Sequence, residues 1–145
     1  MKQINETNIK ALVFDMVGVL LFKDESYIND SEIEEVEAEF NHIDDKKLIE
    51  NLKNKYGYSD EKINEIMRRI PSKYKRFEEL FDLLSSLKSK YKLAIINNGT
   101  ALTLPYFKEK LEFNKYFDLL VNSTEEGIRK PDNRIFLLTC ERLGV

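Results

Sequence analysis

The chain contains one cysteine, Cys140, one histidine, His42, no tryptophan and three prolines among 145 residues. A single cysteine excludes an internal disulfide, which is typical of proteins of the reducing cytoplasm. With a single histidine, we also expect no metal site or catalytic triad based on histidine. We expect Cys140 to pack in the core and His42 to lie at a helix end.

Long apolar segments and clusters of basic charge are lacking too. The longest nearly apolar run, Ala11 to Phe22, contains Asp15 and is too short to cross a bilayer. Polar residues fill Lys2 to Asn8, where a signal peptide would be apolar. The net charge is −3, without the basic face that binding to nucleic acid requires. We therefore expect a cytoplasmic protein with neither a membrane nor a nucleic-acid partner.

The sequence instead contains short apolar runs that alternate with helical stripes, which are segments whose apolar residues repeat at helical spacing. Residues 9–14, 93–96 and 117–121 read as buried strands. Between the first two runs, residues 30–70 carry three helical stripes, which begin behind Asp30, close at Gly57 and end before Pro71. Helices are also predicted for residues 74–88, 104–111 and 134–143. This alternation predicts a parallel α/β sheet, and the total length suffices for one domain with a small insertion.

Each predicted strand is followed by polar residues that are suited to binding an anion. Asp15 ends the first strand, the segment Asn97–Asn98–Gly99–Thr100 ends the second, and Lys130–Pro131–Asp132 follows the third. The carboxyl ends of parallel strands share one edge of a sheet, so these groups can converge there. A proline after Lys130 favours an extended backbone at the lysine, which would direct its side chain inward from a loop. The pattern predicts a site that handles phosphoryl or other anionic groups.

Together, these three segments resemble the haloacid dehalogenase (HAD) superfamily of hydrolases, in particular its phosphatase-like members of subfamily IA. The resemblance runs from Ile9 to Val145. It implies a Rossmann-like, three-layer α/β sandwich, with residues 1–22 and 72–145 as the core and residues 23–71 as a small helical cap. The sheet would end after its third strand and the helix that follows, before the acidic fourth motif of the family.

The resemblance also implies roles for individual residues. Asp15 stands at the position of the nucleophile, and Lys130 at that of the lysine that offsets phosphoryl charge. Asn97 and Asn98 stand where the family contacts the phosphoryl oxygens. Mg²⁺ is expected as cofactor, held by the Asp15 carboxylate and the backbone carbonyl of Val17. The expected substrate is a small phosphorylated metabolite.

Val17 departs from the phosphatase pattern, which has a second aspartate there as general acid and base. Loss of such a group typically costs about 10²–10⁴-fold in rate. Two alternatives therefore stay open: a 2-haloacid dehalogenase that uses Asp15 without metal, and a non-catalytic or incomplete member that serves as a binding module. Because few carboxylates are available as magnesium ligands, we expect these 145 residues to bind Mg²⁺ weakly and to show weak turnover. An uncovered edge of the first strand could pair with a second copy in a homodimer.

Overall fold

The computed structural model describes residues 8–40 and 44–145. Its strands are β1 (Ala11–Phe14), β2 (Leu21–Lys23), β3 (Tyr74–Arg76), β4 (Lys92–Asn97) and β5 (Leu119–Asn122). Its helices are α1 (Ser31–Glu37), α2 (Asp45–Tyr56), α3 (Asp60–Arg69), α4 (Glu78–Leu87), α5 (Leu104–Leu111), α6 (Phe113–Tyr116), α7 (Ser123–Glu126) and α8 (Asn133–Leu143). Short 3₁₀ turns span Ile70–Lys73 and Ala101–Thr103. No helix in this described part is both long and apolar enough to cross a membrane. The prediction for His42, and the part of the first helical stripe at residues 41–43, lie outside the described residues.

Strands β1, β4 and β5 form a parallel sheet in the order β1–β4–β5. Phe14 pairs with Ile95, and Ile95 with Leu120, so the carboxyl ends of the three strands lie along one edge. The predicted strands are therefore present, although their bounds shift by one or two residues. Among the described residues, β1 pairs in this sheet with β4 alone.

Helices cover both faces of the sheet, as the three-layer prediction requires. On one face, Phe81 of α4 and Phe107 of α5 belong to the main core. On the other face, Ile135 of α8 packs in a smaller cluster with Ile96 and Val121. These buried side chains alternate along the strands, because successive residues of a strand point to opposite faces. The predicted α/β fold with a parallel sheet is confirmed.

Helix α8 has the predicted termini. The Asp132 side chain accepts a hydrogen bond from the Arg134 N–H at 2.9 Å, which satisfies one free donor of the first turn. Gly144 ends the helix in the left-handed conformation, with φ of +72°. Cys140, however, is exposed, so its predicted place in the core is wrong. The helix buries Ile135 and Thr139 against the sheet, and this turns the next residue, Cys140, toward solvent.

The single helix predicted for residues 74–88 is also wrong. Residues 74–76 form β3, which pairs antiparallel with β2 so that Tyr74 lies opposite Lys23. Helix α4 begins only at Glu78. Tyr74 and Phe77 fit the helical spacing of the residues that follow, but pairing with β2 outweighs this local preference. The result is a two-stranded ribbon beside the carboxyl edge of the main sheet.

Helices α1 to α3 form the predicted helical cap. Their buried side chains, Ile33, Leu52 and Ile66 among them, belong to the same core cluster as Met16 and Leu20 behind β1. Asp30 caps α1, and Gly57 ends α2 with φ of +69°, as the sequence indicated. The predicted boundaries between core and cap follow residues 22 and 71. The first falls within β2 and the second shortly before β3, and both stay a prediction.

Candidate active site

Asp15 lies directly after β1, at the carboxyl edge of the sheet. Its Oδ1 atom accepts hydrogen bonds from the Met16 N–H at 2.9 Å and from Lys130 Nζ at 2.8 Å. Within the described ranges, no hydrogen bond reaches Oδ2, and 48% of the side chain is exposed. One oxygen is therefore held in place while the other faces open space.

Lys130 reaches this carboxylate from the loop behind α7. Its Nζ atom donates to Asp15 Oδ1 and to the backbone carbonyl of Ile96, both at 2.8 Å. The ammonium group thus connects the ends of β1 and β4, with 22% of the side chain exposed. The predicted meeting of these two site residues is present in the structure, and it places a positive charge next to the open carboxylate oxygen.

Asn98 holds the backbone of Lys130. Its Oδ1 accepts from the Lys130 N–H at 2.8 Å, and its Nδ2 donates to the Lys130 carbonyl at 3.0 Å. Sequence reasoning placed Asn98 on the phosphoryl group. In this geometry Oδ1 and one N–H of its amide are engaged with the lysine loop, and a contact between Asn98 and a phosphoryl oxygen stays a prediction.

Asn97 is buried and belongs to a second set of hydrogen bonds. Its Nδ2 donates to Asn122 Oδ1 at 2.9 Å, and Asn122 Nδ2 donates to the carbonyl of Gly99 at 2.8 Å. A Cβ atom on Gly99 would lie 2.9 Å from Asn97 Nδ2, too close for normal contact. Glycine at this position therefore lets the turn after β4 fold back against the Asn97 side chain.

Two oxygen donors at the end of β1 suit a magnesium ion. They are the Asp15 carboxylate and the Val17 carbonyl, and the backbone hydrogen bonds of this turn go to the carbonyls of Met16 and Leu21. No cluster of three or more metal-ligating side chains occurs in residues 8–40 and 44–145. Magnesium usually retains several waters and binds through one or two carboxylates plus substrate phosphate. The donors present fit an ion of that kind.

A cavity of about 90 Å³ lies between this edge of the sheet and the cap. It is lined by Met16, Val17, residues 97–100, Glu37, Phe40, Ile70, Tyr74 and Phe107, whereas Asp15 and Lys130 are not part of this lining. A larger groove of about 540 Å³ runs along residues 108–115 and contains none of the predicted site residues. We take the smaller cavity as the substrate site because Val17, Asn97 and Asn98 line it.

The cap side of the cavity carries a buried group of charges around Lys73. Its Nζ atom donates to Glu34 at 2.8 Å and also to Glu37, and the Tyr74 hydroxyl donates to Glu37 at 3.0 Å. Burial lowers the pKa of Lys73, but the bonds to Glu34 and Glu37 outweigh it and raise the pKa above its ordinary value. Burial and the nearby Glu37 charge raise the pKa of Tyr74 to about 12. Lys73 is therefore charged and Tyr74 neutral at physiological pH.

Asp45, the first residue of α2, joins the cap to the core. Its carboxylate accepts hydrogen bonds from Thr100 Oγ1 at 2.6 Å, from the Ala101 N–H at 2.9 Å and from Thr124 Oγ1 at 2.9 Å. Sequence reasoning missed Asp45, because an acid in the first turn of a helix is ordinary. It missed Asn122 and Glu37 for a similar reason, since neither stands in a recognisable motif.

Comparisons with known proteins agree with this fold. Residues 9–145 match the family model of the haloacid dehalogenase-like hydrolases, and the chain belongs to that family. A magnesium complex of a HAD family enzyme from Bacteroides thetaiotaomicron superposes with a TM-score of 0.67 at 23% identity. That match covers 94% of this chain and 79% of the other.

Two curated relatives are similar in sequence. The chain is 37% identical over 62 residues to the pyrimidine 5′-nucleotidase YjjG of Escherichia coli (strain K12), over 43% of this chain and 28% of that protein. It is 30% identical over 112 residues to (S)-2-haloacid dehalogenase 4A of Burkholderia cepacia, over 74% of this chain and 47% of that protein. The chain thus spans less than half the length of these two relatives, a nucleotidase and a haloacid dehalogenase.

Proposed function

We propose that the protein hydrolyses small phosphorylated metabolites, with Asp15 as the nucleophile. The observation that carries the proposal is the state of the Asp15 carboxylate. Lys130 holds Oδ1 at 2.8 Å, whereas among the described residues no hydrogen bond reaches Oδ2 of this half-exposed side chain. A fixed carboxylate with one open oxygen is suited to attack on phosphorus.

In the first step, Asp15 Oδ2 attacks phosphorus, and the bond between phosphorus and the leaving oxygen breaks. The electron pair leaves with that oxygen, and an aspartyl phosphate is formed. The Lys130 ammonium lies where it offsets negative charge on the phosphoryl oxygens, and Asn98 fixes the loop that carries it. A magnesium ion held by Asp15 and the Val17 carbonyl would withdraw further charge from these oxygens.

Val17 limits which substrates can react quickly. Its side chain has no proton to give to the leaving oxygen, unlike the aspartate of the usual phosphatase pattern. We therefore propose substrates whose leaving group departs as a stable anion. Aryl phosphates have this property and serve as the probe of choice.

The second candidate is hydrolysis of a carbon–halogen bond by the same carboxylate. The similarity to the haloacid dehalogenase of Burkholderia cepacia favours it, together with Val17, because halide departs without a proton. A dehalogenase would use Asp15 to attack carbon and would not need magnesium.

Turnover assays on the full-length protein separate the candidates. An aryl phosphate and a 2-haloacid are each offered with magnesium and with a chelator. The wild type is compared with D15N and with D82N, which changes an exposed aspartate of α4. We expect magnesium-dependent phosphate release that D15N abolishes and D82N retains. Halide release that persists in the chelator and needs Asp15 would favour the dehalogenase. Release of neither product would favour a binding module.

A further inference from the structure

The proposed reaction needs a base in addition to its nucleophile, and this inference rests on that proposed function. Water must hydrolyse the aspartyl phosphate, and this water loses a proton as its oxygen bonds to phosphorus. In the usual phosphatase pattern, the aspartate two residues after the nucleophile accepts that proton. Val17 occupies this position, and its side chain accepts no proton.

The cavity wall offers one carboxylate in place of the missing acid. Among the described side chains that line the cavity, only Glu37 and Tyr74 can titrate. The volume of about 90 Å³ exceeds the roughly 10–15 Å³ that one water molecule requires. Glu37 ends α1 on the cap side, and Val17 and Asn97 line the opposite side. Water in the cavity can therefore contact both Glu37 and Val17, which lies two residues after Asp15.

The partners of Glu37 hold its carboxylate as a hydrogen-bond acceptor at the cavity wall. The Tyr74 hydroxyl donates to Oε1 at 3.0 Å, and the Lys73 ammonium donates to Oε2. Both partners are donors, so Glu37 serves them as an acceptor. Each carboxylate oxygen retains a second lone pair for water. With a side-chain exposure of 17%, Glu37 is held more firmly than an ordinary surface acid.

We propose that Glu37 is the general base for hydrolysis of the phosphorylated enzyme. The oxygen of a cavity water attacks phosphorus, its proton passes to the Glu37 carboxylate, and the bond between phosphorus and Asp15 Oδ2 breaks. The electron pair returns to Asp15, and inorganic phosphate is released. Lys73 and Tyr74 act as positioning residues that hold Glu37 against the cavity. The cap thus supplies the group that the core lacks at Val17.

Glu34 provides a matched control. Like Glu37, it lies on α1 and binds Lys73 Nζ, at 2.8 Å. Unlike Glu37, it does not line the cavity. The variants E37Q and E34Q each remove one carboxylate from Lys73, but only E37Q removes the proposed base. E37D retains the charge in a shorter side chain, and it replaces E37Q if that protein does not fold.

Rapid-mixing kinetics with an aryl phosphate and magnesium separate the two half-reactions in the full-length protein. We expect E37Q to release the first equivalent of aryl alcohol in a burst of wild-type size. Its steady-state rate should then fall by roughly 10²–10⁴-fold, with phosphorylated Asp15 accumulating. E34Q should lose less than about tenfold, and E37D should lie between the wild type and E37Q.

Two outcomes would overturn the inference, and they are distinguishable. If the wild type forms phosphorylated enzyme and E37Q turns over as fast as E34Q, Glu37 is not the base, while the proposed function stands. If the wild type forms no phosphorylated enzyme, the proposed function fails, and the role of Glu37 fails with it.

Discussion

Asn98 clamps the backbone of Lys130 at both its N–H and its carbonyl, at 2.8 and 3.0 Å. This contact joins residues that are 32 positions apart in the sequence. It fixes the loop from which the lysine reaches Asp15. The position of the positive charge in the site therefore depends on an amide that itself need not touch substrate.

Replacing Asn98 by alanine removes both of these bonds. We expect the free energy of unfolding to fall by about 1–3 kcal/mol, since each bond contributes roughly 0.5–1.5 kcal/mol. The turnover number should fall further than this loss of stability explains, because Lys130 is no longer directed at Asp15. Urea unfolding and steady-state kinetics measure the two effects. N114A, at an exposed asparagine, is the control, and equal behaviour of both variants would contradict the clamp.

Asp45 is expected to hold the cap against the core. D45A removes an acceptor of three hydrogen bonds from Thr100, Ala101 and Thr124, and should lower the free energy of unfolding by about 2–4 kcal/mol. D44A removes only the cap of α2, with an expected cost of about 1 kcal/mol. Urea unfolding compares them. A larger loss in D44A than in D45A would show that the cap–core contact contributes little.

Gly99 is expected to accept no side chain. In G99A, the new Cβ would meet Asn97 Nδ2 at 2.9 Å and displace the amide from Asn122. We expect a loss of about 1–3 kcal/mol in stability, as for other overpacked sites. Thermal unfolding of G99A and of the double variant G99A/N97A tests the cause. The second substitution should relieve the clash, so a double variant that loses the sum of both single effects would contradict this reason.

The raised pKa of Tyr74 predicts a loss of stability at high pH. Its pKa is about 12 in the folded protein, against about 10 when unfolded, so the folded state binds the proton more tightly between these values. The stabilisation is complete below pH 10 and declines as pH rises toward 12, by roughly 2–3 kcal/mol in total. Chemical unfolding at several pH values should show the free energy of unfolding falling by roughly 2–3 kcal/mol more in the wild type than in Y74F. Parallel curves would contradict the prediction.

The strand ends and their polar residues could be predicted because their signals are local. Apolar runs before Asp15 and Asn97 are short and β-rich, and Asp132 and Gly144 mark helix ends in the expected way. The parallel topology then placed Asp15 and Lys130 at the same edge. Their contact at 2.8 Å agrees with this expectation.

The remaining features depend on contacts between distant residues. Tyr74 has helical spacing with Phe81, yet it pairs with Lys23 across the ribbon. Asp45 accepts a hydrogen bond from Thr124, which lies 79 positions away in the sequence, and no sequence pattern links the two residues. Glu37 belongs to an acidic run that resembles a solvated helix face, and only the packing of Lys73 and Tyr74 turns it toward the cavity. Such pairings are fixed by tertiary packing and not by periodicity.

The central claim is that Asp15 becomes covalently modified during turnover. The most direct measurement incubates the full-length protein with an aryl phosphate and magnesium, reduces any acyl phosphate with borohydride, and locates the reduced residue by peptide mass spectrometry. We expect reduction at Asp15 in the wild type, and in greater yield in E37Q. Phosphate turnover with an unmodified Asp15, or with the label at another carboxylate, would contradict it.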